Sequence, residues 1–434
     1  MTVTTLAAPQ AGITKKSMQF VVLASSIGTI IEWYDFLVYA TSAALVFNKL
    51  FFPSIDAKAG TLAALGTYAV GFFARPFGGA LFGHFGDRIG RKSMLMLAMF
   101  VMGAATLCIG LLPTYAAIGI WAPILLITLR IVQGIGLGGE WGGASLMVIE
   151  HSPAAQRGFY GSLVQIGFPI GLVLSTFTVA MVAKMPEADL LAWGWRIPFL
   201  LSSVLFAIGV FVRMRIDETP VFLEMQEKKT LAKSPVIEAL TKGRGSFLAA
   251  IGLKLAEVSW VYMLTVFIVV YATTKLNMPK AFVLQGVLYA ALLELLTIPF
   301  FGWLSDKVGR RPLYLWGAIF TILFAFPLFW MLDTKAPAIV TLAIIIGMNL
   351  GHALMFAPES AYFPELFKGP MRCSGASFGF QVSAAIGGGL APVLATGLLA
   401  YYGGTSGVSI MLVGLGAITL IAALFARETL RDPV

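Results

Sequence analysis

Ionisable side chains stand where the sequence is otherwise apolar, and their spacing asks for ion or proton chemistry. Residues 28–40 read GTIIEWYDFLVYA, within an apolar run from 18 to 47 whose only charges are Glu32 and Asp35. A carboxylate at bilayer depth costs a few kcal/mol on insertion scales. Glu32, Asp35 and Tyr39 are three and four residues apart, which puts them on one helical face. That face is expected to look into a polar interior within reach of water, not at lipid. Arg130 lies deep in another apolar run, with Gln133, Leu137 and Glu140 or Trp141 spaced to share its side. Its permanently charged fork needs an anion: Asp35, Glu32, Glu140 or the carboxylate of a substrate. An acid that gains and loses an arginine neighbour changes its proton affinity. Asp35 is therefore the first candidate for a proton carrier and Glu32 the second. A structural ion pair that never titrates is the competing reading.

Further polar groups fall at similar depth. Arg75 precedes Pro76, which can kink its helix and aim the guanidinium inward; it either takes a substrate carboxylate or braces against Glu32. Lys254 and Glu257 are three apart and either neutralise each other or leave Lys254 as a second anion anchor. Asn349, His352, Phe356 and Glu359 lie near one face, so His352 is a hydrogen-bond donor, a titrating group or a satisfied core residue. Gln165, Gln381, Gln285 and Tyr289 are neutral candidates for a cavity wall. Glu294 points away from Gln285 and Tyr289 and suits a helix–helix contact. Trp33, Trp141 and Trp260 either stack on a ring or fill packing space.

Other chemistries lack their residues. Two cysteines, Cys108 and Cys373, and three scattered histidines suggest no disulfide framework and no metal site. There is no phosphate-binding loop for direct ATP drive, and nothing supports catalysis or a cofactor.

The elements that must hold these groups are transmembrane helices. Hydrophobic residues make up 58% of the 434 and charged residues 12%, about half the ~25% of soluble domains. Runs long enough to span, ~20 residues each, occur at 18–47, 59–84, 93–112, 118–149, 155–183, 194–213, 246–273, 279–304, 311–332, 336–366, 371–401 and 405–427. The fold class is all-α and polytopic. The opening MTVTTLAAPQAGITKK reads as a short polar tail rather than a signal peptide. Of the 30 Lys and Arg, 20 fall on the side of the termini, 7 on the other and 3 inside spans. The positive-inside rule then places both termini in the cytoplasm. It also accounts for the net charge of +9 without nucleic acid.

The chain repeats itself. GHFGDRIGRK at 83–92 returns as GWLSDKVGRR at 302–311, an offset of 219. EHSPAAQRGFYG at 150–161 returns as ELFKGPMRCSG at 365–375, and RMRIDET at 213–219 weakly as RET at 427–429. Ordered echoes on one side of the membrane mean two parallel six-helix halves. The expected parts are a tail at 1–17, a bundle at 18–213, a linker at 214–245, a second bundle at 246–427 and a tail at 428–434. The linker is either plain solvated chain or carries a short surface helix over 221–233.

Two copies of G-x-x-x-D-[RK]-x-G-R-[RK], each after the second helix of its half, resemble the major facilitator superfamily. Within it, GTIIEWYDF, ARPFGGALFGHFGDRIGRK, RIVQGIGLGGEWGGA, DETPVF and PELF are similar to the metabolite:proton symporter family, and most to its shikimate-type branch. The resemblance implies two pseudo-symmetric bundles, a midplane substrate site, proton coupling and alternating access. It favours reading Asp87 and Asp306, with Arg88, Arg91 and Arg310, as a cytoplasmic gate latch rather than as topogenic loops. The related sugar–proton symporters set an acid of helix 1 against an arginine of helix 4, which Asp35 and Arg130 fit. The expectation is a bacterial inner-membrane symporter of a small organic acid and protons, working as a monomer. The substrate contacts would come from Arg75, Arg130, Tyr39, Gln133, Gln165, Lys254, Glu257 and His352. The rivals are a symporter of a zwitterionic osmolyte, a proton-independent facilitator and a non-transporting receptor. Against the osmolyte stands a chain that ends soon after the twelfth span, without the coiled-coil tail of the osmosensing branch.

Overall fold

A computed structural model describes residues 15–53, 57–430 and 432, and every regular element among them is helical. The first half contains α1 Lys15–Ser42, α2 Ala57–Ile89, α3 Arg91–Leu111, α4 Trp121–His151, α5 Ala154–Val182 and α6 Gly194–Arg213. The second contains α7 Arg244–Thr274, α8 Lys280–Val308, α9 Arg310–Asp333, α10 Pro337–Glu365, α11 Gly369–Tyr402 and α12 Ser406–Phe425. Eleven of these are long and apolar enough to cross a membrane. The exception is α2, 33 residues long, whose glycines, Tyr68 and Arg75 dilute its apolar character. Of the expected N-terminal tail, residues 1–14 lie outside the described residues, and α1 already runs from Lys15.

The halves meet along two seams, α2 against α11 and α5 against α8, with α5 also packed on α10. Small residues make these seams possible. With lipid as apolar as leucine, helices gain from approach of their backbones. A Cβ on Gly78 would lie 1.9 Å from the Ile135 carbonyl oxygen, and one on Gly138 2.2 Å from that of Arg75, so α2 and α4 touch through their main chains. Between the halves, a Cβ on Gly302 would stand 2.2 Å from Ser162 Oγ, and one on Gly83 2.8 Å from the Ser374 Cα. Phe77, Phe100, Ile208, Leu296, Leu323 and Ile410 are exposed around the outside, the belt that hydrocarbon would cover.

Pro76 does not interrupt α2, which is helical on both sides of it. The irregularities lie elsewhere. π-Helical turns occur at Ala43–Phe47, Met263–Phe267, Gly347–His352 and Ala385–Leu390. The first two are 220 residues apart, so the repeat extends to a defect in the hydrogen-bond ladder. The third contains Asn349 and His352, in keeping with the frequency of such turns at functional sites. Between the halves, short helices run Pro220–Glu227 and Pro235–Thr241. Thr219 caps the first by accepting from the Phe222 N–H at 3.3 Å.

Candidate functional site

Asp35 is fully buried and held by hydroxyls. Thr106 of α3 donates to its Oδ2 at 2.8 Å, and Ser202 of α6 donates to Oδ1. Arg130 is equally buried, and its Nη1 donates to Gln133 Oε1 at 2.5 Å. Gln133 Nε2 in turn donates to Thr106 Oγ1 at 2.8 Å. The expected Asp35–Arg130 ion pair is thus replaced by a chain, Asp35–Thr106–Gln133–Arg130. Arg130 Nε and Nη2 have no hydrogen-bond partner. Its guanidinium lies 4.1 Å from the Tyr39 ring centroid and 5.0 Å from that of Phe36. Gly71 leaves room for it, since a Cβ there would stand 2.6 Å from Arg130 Nε.

Arg75, the other arginine inside the first half, sits 4.2 Å over Phe36 and 4.9 Å over Phe72, its Nε unpartnered. No carboxylate of the described residues lies within ion-pair distance of Arg75 or Arg130. Glu32 is 4% exposed and its Oε2 is also unpartnered. Tyr262 of α7 closes the aromatic layer from the other half, 5.3 Å from Phe72 and 6.4 Å from Phe36. Its hydroxyl has no partner. The interior expected to be wet is, in this conformation, enclosed by protein.

The second half pairs its charges. Lys254 Nζ lies 2.5 Å from Glu257 and 2.8 Å from Glu359. His352 reaches Glu257 Oε1 through Nε2 at 3.0 Å and Glu294 Oε1 through Nδ1 at 2.7 Å. Glu294 therefore makes the helix–helix contact expected of it, between α8 and α10. Lys254 also sits 4.1 Å over Phe380, which stacks on Trp141 of α4 at 3.9 Å. Trp141 donates to Gln165, and Gln165 donates to the Phe356 carbonyl at 3.0 Å, joining α4, α5 and α10.

At the end of the molecule bearing the two decapeptides, the junctions are built twice. Asp87 accepts from the N–H groups of Cys373 and Ser374 and from the Ser374 hydroxyl. Asp306 accepts from the N–H groups of Gly158 and Phe159. Each acid thus bonds the start of a helix in the opposite half, where unpaired N–H groups and the helix dipole favour negative charge. Arg91 bridges Asp87 and Glu150, and Arg310 bridges Asp306 and Glu365. The third echo completes the unit. Glu218 accepts from the Lys92 N–H, and Glu428 from those of Arg310 and Arg311, capping α3 and α9. Both helices start after a glycine with positive φ, Gly90 at 129° and Gly309 at 106°.

Several residues fall apart from these groups. Arg88 is exposed beside His84, outside the junction. Tyr289 and Gln285 point outward, so they line no cavity in this conformation. Trp260 is a packing residue bonded to the Gly347 carbonyl at 2.7 Å. Sequence reasoning passed over Thr106 and Ser202, because a hydroxyl in an apolar helix usually bonds its own backbone. It also missed Arg213, whose fork takes both oxygens of Glu140. Gly28 is the local sign of that pair, since a Cβ there would lie 1.7 Å from Arg213 Nη2.

Twelve helices in two related sixes, joined at one end by duplicated acid-to-helix junctions around buried charge, define a membrane transport protein. Comparisons with known proteins make the assignment specific. The family described as Sugar (and other) transporter matches residues 20–247, and the Major Facilitator Superfamily matches residues 289–434. The shikimate transporter of Escherichia coli (strain K12) is 43% identical over 413 residues, 94% of this chain and 94% of that protein. The inner membrane metabolite transport protein YhjE of the same organism is 40% identical over 436 residues, 99% and 98% of the two chains. The solved proton:xylose symporter XylE superposes with a TM-score of 0.75 at 17% identity, over 95% of this chain and 97% of that one; this likeness speaks for the fold. The chain belongs to the major facilitator superfamily and is a transporter.

Proposed function

We propose that this transporter carries a small organic acid, of shikimate or di- or tricarboxylate type, inward across the bacterial inner membrane with at least one proton. The observation that carries the reading is an imbalance. The first half buries two guanidinium groups with no carboxylate within ion-pair distance among the described residues, Glu32 acting on Arg75 only from farther off, next to an aspartate paired with no cation. Arg75 and Arg130 then receive the substrate carboxylate, and Asp35 takes the proton. Each unit charge crossing is worth ~2.3 kcal/mol per 100 mV, so an imported carboxylate needs a proton to cancel its own charge. The end with both decapeptides is cytoplasmic, as are both termini. The halves at 18–213 and 246–427 rock about the linker at 214–245, and the monomer is the working unit. The Asp87 and Asp306 junctions hold the cytoplasmic side shut here, and their release opens the other state.

A zwitterionic osmolyte would need aromatic faces for its cation. The faces of Phe36, Tyr39 and Phe72 are instead occupied by the two arginines, which leaves this site suited to an anion.

The test is uptake by proteoliposomes against a panel of organic acids and glycine betaine, with and without an imposed pH gradient. Asp35→Asn should abolish gradient-driven accumulation and spare counterflow exchange. Accumulation that survives in Asp35→Asn would remove Asp35 as carrier, and a wild-type protein indifferent to pH would make this a facilitator. Alternating access also requires that water reach the enclosed site in some state. With Cys108 and Cys373 replaced by alanine, a Tyr68→Cys protein that never reacts with soluble thiol reagents from either side would defeat the mechanism.

A further inference from the structure

We propose that Thr106 and Gln133 form a relay by which an anion on Arg130 promotes protonation of Asp35. The inference rests on the reading above and adds the element that links substrate to proton. The hydroxyl of Thr106 carries one proton and has two acceptors within reach, Asp35 Oδ2 at 2.8 Å and the Met102 carbonyl at 3.0 Å. It accepts from Gln133 Nε2 at the same time.

With Asp35 ionised, Thr106 donates its hydrogen bond to the carboxylate. With Asp35 protonated on Oδ2, the carboxyl O–H donates instead, and Thr106 turns its own proton to Met102. The two protonation states therefore demand opposite directions of one hydrogen bond. At the far end, a substrate carboxylate on the free Nε and Nη2 of Arg130 neutralises the guanidinium and weakens its Nη1 bond to Gln133 Oε1. Gln133 then polarises the Thr106 hydroxyl less, so Thr106 is a weaker donor to the ionised carboxylate. Protonated Asp35 does not depend on that donation: its O–H is accepted by the second lone pair of Thr106 while Gln133 Nε2 keeps the first. Substrate and proton load together, and by linkage each strengthens the other.

Asp35 is faced by Thr106 from α3, Ser202 from α6, and Gln133 with Arg130 behind it from α4. Its own helix adds Tyr34, which donates to the Pro198 carbonyl, and Glu32, acted on by Arg75, Glu140, Arg213 and Lys254. Among the described residues, only the Thr106–Gln133 path joins Asp35 to Arg130 through hydrogen bonds, which makes Thr106 a positioning residue.

The experiment measures the KM for shikimate against external pH in proteoliposomes, and the protons taken up per substrate with an enclosed pH dye. In the wild type, KM should fall about tenfold per pH unit of acidification over the coupled range, one proton's worth of linkage. Thr106→Val is close in shape and lacks the hydroxyl; its KM should vary less than threefold and its proton ratio should drop. Thr106→Ser should restore both. Gln133→Leu, the second variant, should flatten the pH dependence in the same way.

A Thr106→Val protein with the wild-type slope would overturn the relay, as would a Thr106→Ser protein as uncoupled as Thr106→Val. If the wild type moves shikimate without pH dependence, the symport reading fails first. If it does not move shikimate, the same comparison is made with malate and citrate, and failure with all three overturns both.

Discussion

The two halves repeat one another at the junctions and differ in the interior. In the first half, Arg75 and Arg130 lie on aromatic faces, without a carboxylate, and Asp35 is held by hydroxyls. In the second, Lys254 is clasped by Glu257 and Glu359, and His352 touches Glu257 as well and Glu294 besides. Breaking a buried ion pair is far more costly than keeping it, because it leaves an uncompensated charge. An arginine with unpartnered donors is available to a ligand, whereas a lysine with two partners must first give one up. Under the proposed function, anion binding falls to the first half and structural charge balance to the second.

The sharpest way to break that comparison is to delete one cation from each side. Lys254→Met strands Glu359 and leaves Glu257 with His352 alone, and we expect it to cost about 3–5 kcal/mol of stability. Thermal unfolding in detergent would show this as a large drop in Tm. Adding Glu359→Gln should recover much of the loss by removing one stranded charge. Arg130→Met should leave Tm near the wild-type value and abolish uptake. If both deletions unfold the protein equally, the asymmetry is one of appearance.

Next in size is the shape of the Arg130 charge. Arg130→Lys keeps the cation and loses the fork. Losing one charged hydrogen bond at ~2 kcal/mol weakens apparent substrate affinity about 30-fold by the usual conversion. Uptake kinetics would read it as a raised KM. A wild-type KM would mean that the anion is held elsewhere, with Arg75 the nearest alternative.

These predictions use residues that the sequence announced with unequal clarity. Arg130, Asp35 and Lys254 stood out because any charge in an apolar run does. What the sequence hid was their partners. Gln133 lies on the face of Arg130 and was visible as such. Thr106 looks like any hydroxyl in an apolar helix, and its role comes only from α3 packing beside α1. The same holds for Glu359, which reads as a neighbour of His352 in sequence but pairs with Lys254 across helices. Pro76 misled in the other direction, because a proline need not break a helix whose neighbours re-satisfy the backbone. By contrast the weak echo of RMRIDET in RET proved structural. One glutamate in each copy caps the third helix of its half, so the shortest repeat marked a defined junction.

The junctions offer a smaller test. Asp87 and Asp306 occupy matched places, but Asp306 also holds Arg310 at 2.7 Å while Arg91 stands 3.3 Å from Asp87. Asp87 compensates through the Ser374 hydroxyl at 2.8 Å. Cys373, buried directly against Asp87, is a native reporter, and the exposed Cys108 can be replaced by alanine. Asp87→Asn should speed Cys373 alkylation about tenfold, matching ~1.4 kcal/mol lost from the closed state. Asp306→Asn should do the same within a factor of about three, since one opening motion breaks both seams. A large response to Asp87→Asn alone would mean that the seams open independently.

The smallest expected effects come from two tyrosines on opposite sides of the aromatic layer. The Tyr39 hydroxyl is bonded to Thr67 Oγ1 at 2.6 Å, and the Tyr262 hydroxyl has no partner. Tyr39→Phe removes the bond to Thr67, which keeps its own donation to the Ala64 carbonyl at 2.6 Å; the loss of ~1 kcal/mol should reduce transport about fivefold. Removing an unsatisfied hydroxyl strands nothing, and Tyr262→Phe should stay within about twofold of wild type. A loss in Tyr262→Phe as large as that in Tyr39→Phe, seen in KM and not in Tm, would carry a definite meaning. The hydroxyl would then find its partner only in the loaded state, and the second half would contribute a substrate contact through Tyr262 rather than through its paired charges.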